Sequence, residues 1–506
     1  MSLATDLGIG APLETSLRTC AIATHLGARL GLTGPALRTV YYAGLMRHLG
    51  CTAWSHEAAA LAGSDHDLIQ TYDRVDMSRR MHVVGQAIRL AHGASTAQRV
   101  AAVARVVTHP AANAQLAAAQ CAQAEAFAGD LGLGDDVATA LAQMYERHDG
   151  CGHPRGLRGD AIVLAARLVH AAQLIEALHR RDGRDLTIDE LRRRRARQLA
   201  AAVCDVAVAE AEALWAFLES PTVWDRALAL EPAPRIELAP ARLGDIALAF
   251  ARFADLKTPH TIGHSPAVAT LAVTAATAAG WPAAELEQVR LAALFHDLGN
   301  VSVGNQIWDH AGVLGTTAWE QVRLHAYYTE RILTRAAPTA QLAAIAGAHH
   351  ERLDGSGYHR GTRADGLSRA ARVLAAADAF AAMGEARPHR GPLTDDVRVR
   401  ALTAEAAAGR LCRDAVALVL TAAGHIPPRA ALPAGLTDRE AEVLGLLARG
   451  LSTKEIAHVL GIAPRTVKHH IEHIYDKTGA ASRAAAALFA ARHDLVAREP
   501  HRPFGA

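Results

Sequence analysis

Seven side chains of two metal-binding types are strung along one stretch of the sequence: His264, His296, Asp297, His325, His349, His350 and Asp378. Imidazole and carboxylate together suit divalent first-row transition metals, and a carboxylate such as Asp297 can bridge two ions. Successive residues on a helix point about 100° apart, so the adjacent pair His296 and Asp297 can address two neighbouring ions rather than one. Any one of these histidines alone reads more readily as an ordinary core or surface residue. Seven together make a metal centre the better reading, and the chemistry such a centre supports is metal-ion catalysis.

The elements that must carry them are helices. Ala/Leu/Val-rich stretches with charges at three- and four-residue spacing dominate, and alternating strand-like runs are nearly absent. The expected fold is all-α. Proline-containing breaks at 230–244 and 425–435 divide the chain into residues 1–235, 240–425 and 435–506, with 426–434 as a stiff linker. Half of the 506 residues are apolar and the net charge is only +2, which by itself names no partner. No signal peptide and no run of roughly 18 apolar residues is present, so a cytoplasmic protein without membrane contact is expected. The six cysteines lack C-x-x-C spacing, which excludes a zinc ribbon and a disulfide framework.

The first two blocks repeat each other. "LFHDLGN" at 294–300 closes a helix pattern with a glycine, and "LMRHLGC" at 45–51 has the same shape. A shift of 249 relates these and also 15–23 to 264–272. A shift of 205 relates 146–173 to 351–378, with 14 of 28 positions identical. Under these shifts His264, His296, Asp297, His349, His350 and Asp378 correspond to Thr15, Arg47, His48, Met144, Tyr145 and Gln173. His109 is the expected counterpart of His325. Residues 1–235 therefore read as a degenerate copy without a metal site, serving as scaffold or sensor. The "RRRRAR" run at 192–197 follows acidic residues and reads as a solvated helix rather than a nucleic-acid contact.

His264-Ser265, His296-Asp297-x-Gly299, His325, "HHERLDGSGY" (349–358), "AAADAFAAM" (375–383) and "RPHR" (387–390) resemble, in order, the HD-GYP phosphohydrolases of the HD superfamily. The resemblance implies a helical domain holding two ions of iron or manganese type that hydrolyse a phosphodiester, most often in cyclic di-GMP. The seven residues above become ligands, with Asp297 the bridging, catalytic carboxylate. Asn300, Gly355, Gly357, Tyr358, Arg387 and Arg390 become substrate contacts. The chain departs from the family pattern at several points. Asn300 stands where the family has a phosphate-binding lysine, His359 where its signature has proline, and Ala381 where a second acid is common. His260 replaces the glutamate of trinuclear members, so no third metal is expected.

The last block carries helix signals of its own: Thr437-x-x-Glu440 as a capping box, Ser452 and Glu455 opening a second helix that Gly461 ends, and a third helix entered through Pro464. That is helix-turn-helix spacing. "GLSTKEIAHVLGIAPRTVKHH" closely resembles the LuxR-type DNA-binding domain. The resemblance implies that Arg465, Thr466, Lys468 and His469 face double-stranded DNA, that Lys454 and Lys477 contact phosphate, and that the helix at 483–493 forms a homodimer seam. The expected protein is a DNA-binding transcriptional regulator whose HD-GYP-like domain binds metal and senses or slowly hydrolyses a phosphodiester nucleotide. The alternative is a cyclic-dinucleotide phosphodiesterase with an accessory DNA-binding domain.

Overall fold

The computed structural model describes residues 1–72, 110–237, 239–425, 432–493 and 495–496. The expected His109, most of the linker at 426–434 and the end of the last block lie outside them. Among the described residues there are helices and isolated bridges but no strands, and no helix is long and apolar enough to cross a membrane. The chain forms two compact units, Met1–Ile426 and Pro427–Ala506.

In the first unit the two repeats share one core. Buried residues from Leu3 to Leu420 make a single apolar cluster, and Phe127 of the first repeat packs edge-on against Phe253 of the second at 6.1 Å. Residues 1–235 and 240–425 are thus halves of one packed body. Their equivalence extends to individual hydrogen bonds. Asp6 accepts from the Ser16 amide at 2.9 Å, and Asp255 accepts from the Ser265 amide at 3.0 Å, which is the shift of 249 in three dimensions. Glu146 accepts from the amides of Arg155 and Leu157, and Glu351 from those of Arg360 and Thr362, which is the shift of 205.

A close approach explains the glycine after each His-Asp or Arg-His pair. A Cβ on Gly299 would stand 1.9 Å from the His325 carbonyl oxygen, and one on Gly50 would stand 1.9 Å from that of Gln120. Gln120 therefore occupies the place equivalent to His325, which corrects the expectation that His109 does. The error arose because an alanine-rich helix offers no anchor for alignment between the two shifts. Gln120 receives the Tyr145 hydroxyl, so this ligand position too is taken by neutral polar groups. Within the arginine run, Arg192, Arg193 and Arg194 pair with Asp189 and Glu190, and Arg195 with Asp205.

The second unit folds from strong local signals. The Thr437/Glu440 and Ser452/Glu455 capping boxes both form, starting the helices Asp438–Ala448 and Thr453–Leu460. Gly461 ends the latter at φ +61°, a left-handed conformation that glycine takes without a Cβ penalty. Pro464 then begins Pro464–Thr478, and Ser482 caps Arg483–Arg492. Val443, Leu444, Ile456, Val467, Ile474 and Ala486 fill a separate small core.

Candidate metal centre

His264, His296, His349 and His350 sit at or just beyond helix ends, where backbone groups lack intrahelical partners, while His325 and Asp378 lie inside helices. His296 caps Ala283–Phe295, and its Nδ1 hydrogen bonds the Ala293 carbonyl at 2.6 Å. His349 follows Ala337–Ala346 and repeats the contact with the Ala346 carbonyl at 2.6 Å. His325, inside Thr316–Leu333, does the same with Val322. In each ring Nδ1–H donates, which leaves the Nε2 lone pair turned inward. His264 starts His264–Ala278 and gives its Nδ1 to Glu385 at 2.7 Å instead.

All seven predicted side chains meet. Asp297 lies between two groups of nitrogens: Oδ2 is 3.6 and 3.5 Å from Nε2 of His264 and His296, and Oδ1 is 3.5 and 3.4 Å from Nε2 of His325 and His349. Asp378 closes the first group, with Oδ1 3.2 Å from His264 Nε2, and its Oδ2 reaches His350 Nδ1 at 3.8 Å. The ligand atoms form a set His264, His296, Asp378 on one side and a set His325, His349, His350 on the other. Two observations fit metal ions at both. His296 Nε2 is fully buried without a hydrogen-bond partner. The Nε2 atoms of His325 and His349 are 3.0 Å apart although both Nδ1 atoms face carbonyls, so two lone pairs oppose each other unless they share a cation. Nitrogens each about 2.1 Å from one ion adopt such spacings.

Protonation is split across the centre. Burial pulls His325 down to about 4, and burial with His349 alongside holds His350 well below its usual range, so both stay neutral. Burial pushes Asp297 and Asp378 up, but the surrounding histidines outweigh it and keep both carboxyls well below the usual carboxylate range. Burial also works against a charged His264, and the bonds to Asp378 and Glu385 overcome it, raising this imidazole well above its ordinary value.

The centre opens into a cavity of about 780 Å³ lined by His264, Asp297, His325, His350 and Asp378 and, further out, by Trp308, Trp319 and Tyr358. Asn300 lines it too, with a buried Oδ1 that has no hydrogen-bond partner among the described residues. His260 is on the wall but belongs to no ligand cluster. Other predicted contacts are engaged elsewhere. Arg390 lines the cavity yet donates to the carbonyls of Ala382, Met383, Glu385 and Gly391, so its guanidinium staples a loop. Arg387 lines the cavity as well and pairs with Glu385 at 2.6 Å. Gly355 and Gly357 do not line the cavity. A Cβ on Gly357 would stand 2.5 Å from Glu351 Cα, so this glycine allows the loop to pack closely on its own chain.

Sequence reasoning passed over Glu385, which orients His264, and Thr329, whose hydroxyl donates to the His296 carbonyl and accepts from the Gly299 amide, both at 2.8 Å. It also passed over Arg323, which donates to the Gly357 carbonyl at 2.9 Å, and the two tryptophans. None has a motif spacing to betray it. In the second unit Lys454, Arg465, Thr466, Lys468 and His469 are exposed. Lys477 instead pairs with the buried Glu440 at 2.7 Å and ties Pro464–Thr478 to the first helix of that unit.

A histidine and aspartate cluster able to hold metal lies in a chain that also carries a helix-turn-helix unit, the pairing expected of an HD-type domain joined to a DNA-binding module. Comparison with known families agrees. A model described as "HD domain" matches residues 249–412, and one described as "Bacterial regulatory proteins, luxR family" matches 434–490. The chain is similar to the 3'3'-cGAMP-specific phosphodiesterase 3 of Vibrio cholerae, 29% identical over 409 residues, 78% of this chain and 87% of that protein. A crystal structure of a cyclic GMP-AMP specific phosphodiesterase of V. cholerae superposes with a TM-score of 0.58 at 26% identity, covering 84% of this chain and 97% of that one. The C-terminal part is similar to the probable transcriptional regulatory protein NarL of Mycobacterium tuberculosis, 47% identical over 87 residues, 17% of this chain and 40% of that protein. This chain joins an HD domain, with cyclic-dinucleotide phosphodiesterases among its homologues, to a LuxR-type helix-turn-helix domain.

Proposed function

We propose that this protein binds and cleaves a 3'3'-linked cyclic dinucleotide in its HD half and uses the nucleotide to set DNA binding by its LuxR-type domain. The observation that carries the reading is Asp297, with one carboxylate oxygen toward each of two imidazole groups beneath an open, aromatic-walled cavity. His264, His296 and Asp378 would hold one divalent transition-metal ion, and His325, His349 and His350 the other, with Asp297 shared. Such ions, of iron or manganese type, supply an activated water and offset charge on phosphoryl oxygens. The protein's part is to keep His325 and His350 neutral, to hold both carboxylates ionised, and to offer Trp308, Trp319 and Tyr358 as flat faces for nucleobases.

Residues 1–235 form the degenerate half and 240–425 the metal-binding half, while 435–506 read DNA as a homodimer in the cytoplasm. Arg465, Thr466, Lys468 and His469 serve the groove and Lys454 a phosphate, whereas Lys477 serves the fold first. A slower, sensor-like use of the same site is favoured by Asn300. A neutral amide faces the cavity where the family places a cation, and loss of such a charge costs about one to three powers of ten in rate. The test measures metal content, hydrolysis of a panel of cyclic dinucleotides, and DNA affinity with and without nucleotide on the same samples. About two metals per chain, nucleotide turnover and nucleotide-dependent DNA binding, all lost in Asp297→Ala, are expected. Metal content unchanged by Asp297→Ala would sink the assignment, and nucleotide-independent DNA binding would leave an enzyme without the regulatory link.

A further inference from the structure

The degenerate repeat has lost its ligands, yet it keeps a buried polar contact with segments that adjoin the cavity wall. Asp65, at the start of Asp65–Tyr72, is completely buried and forms an ion pair with Lys257 of the second repeat, itself only 1% exposed. Its other oxygen accepts from the Asn305 amide at 2.9 Å. Asn305 is fully buried, and its side-chain amide returns to the Lys257 carbonyl at 2.7 Å. Lys257 also donates to His66 at 3.2 Å. Burial and that ammonium hold His66 down near 4, so it stays a neutral acceptor. A short distance away His56 Nδ1 donates to Asp309 at 2.9 Å, and Thr258 reaches the other oxygen of the same carboxylate at 3.3 Å.

Every second-repeat partner in this network adjoins the cavity wall. Lys257 precedes Thr258, His260, Thr261 and the ligand His264, while Asn305 begins the short helix Asn305–Trp308, which brings Ile307 and Trp308 to the cavity. Asp65 thus ties together the two wall segments from outside. A buried ion pair is a poor stabiliser, because desolvating both charges costs about as much as their attraction returns, and its best attested use is to fix register. The residue type points the same way. Lys257 is the sole lysine among the first 453 residues of a chain that otherwise uses arginine. A compact ammonium with freely rotating donors suits the two closely spaced acceptors Asp65 and His66 where a planar guanidinium does not.

We propose that the ligand-free repeat is a working part of the site: Asp65 and His56 are positioning residues that hold Lys257–His264 and Asn305–Trp308 in the arrangement that receives the nucleotide. The proposal rests on the phosphodiesterase reading only for its kinetic arm. Two variants separate positioning from folding. Asp65→Asn with Lys257→Met removes both charges together, so neither is left buried alone. His56→Ala removes one half-exposed donor, and His56→Asn restores an amide donor near the place of Nδ1.

Hydrogen exchange on the metal-free full chain should show amides of 303–310 exchanging about tenfold faster in the double variant, with the helix Ala337–Ala346 unchanged. Metal content should stay as in the wild type. KM for 3'3'-cGAMP should rise about tenfold with kcat within about threefold, and His56→Asn should recover what His56→Ala loses. Unchanged exchange and KM in the double variant would overturn the proposal, as would acceleration spread evenly over Met1–Ile426, which marks general destabilisation. If wild-type protein turns over no cyclic dinucleotide, the phosphodiesterase reading falls, and the exchange comparison alone decides this one.

Discussion

Thr329→Val is the substitution whose consequence is most directly calculable. Thr329 is completely buried, and its hydroxyl serves two backbone groups of the turn that carries His296 and Asp297, the His296 carbonyl and the Gly299 amide. Valine has the same shape and no hydroxyl, so both groups lose their partner with no water to replace it. Each buried unsatisfied group costs about 1–3 kcal/mol, and the extra methyl returns about 0.8 kcal/mol. The net loss should be about 1–5 kcal/mol. Thr329→Ser keeps the hydroxyl and forfeits one methyl, about 1 kcal/mol. Urea unfolding of both variants in chelator separates this from any metal contribution to stability. Because the turn carries His296 and Asp297, metal titration of Thr329→Val should also show binding weakened about tenfold, as for other groups that orient ligands. If Thr329→Val is as stable as Thr329→Ser and binds metal like the wild type, the idea that this hydroxyl sets the turn is refuted.

Asn300→Lys places an ammonium on the cavity wall and should raise cyclic-dinucleotide turnover at least about tenfold. Single-turnover rates on matched metal-loaded samples check it, and a fall in rate would count against a phosphate at that wall. Asp6 is raised to about 7 by burial, so its folded state prefers the proton, and stability present below pH 4 is lost as pH rises toward 7. Asp6→Asn should flatten that part of the urea stability profile, and an unchanged slope would rule Asp6 out as its source. Lys468→Ala should weaken DNA binding and lower its salt dependence by about one ion per subunit. Lys477→Ala should chiefly destabilise the second unit through Glu440, visible as a lower unfolding midpoint; a purely DNA-binding defect would contradict the ion pair.

The class of fold and the seven histidines and aspartates that cluster were legible along the chain because both rest on local rules. Helical spacing, the capping boxes at Thr437 and Ser452 and the glycine at 461 act within a few residues, and ligand chemistry restricts a metal centre to a few residue types. Gly299 reads along the chain as a helix stop, but it lies inside the short 3-10 helix Leu298–Ser302 and is required by the approach to the His325 carbonyl. Four matters were decided only by tertiary packing. Gln120 rather than His109 stands opposite Gly50, because the helix register there is set by a backbone approach that an alanine-rich sequence does not encode. Arg390, on the cavity wall, spends its guanidinium on four carbonyls of the surrounding loop. Lys477 pairs with Glu440 across 37 residues. Asp65, buried in a repeat that looked idle, meets Lys257 across 192 residues. Charges of this kind find their partners through the folded core, and no spacing rule along the chain foretells which ones they will be.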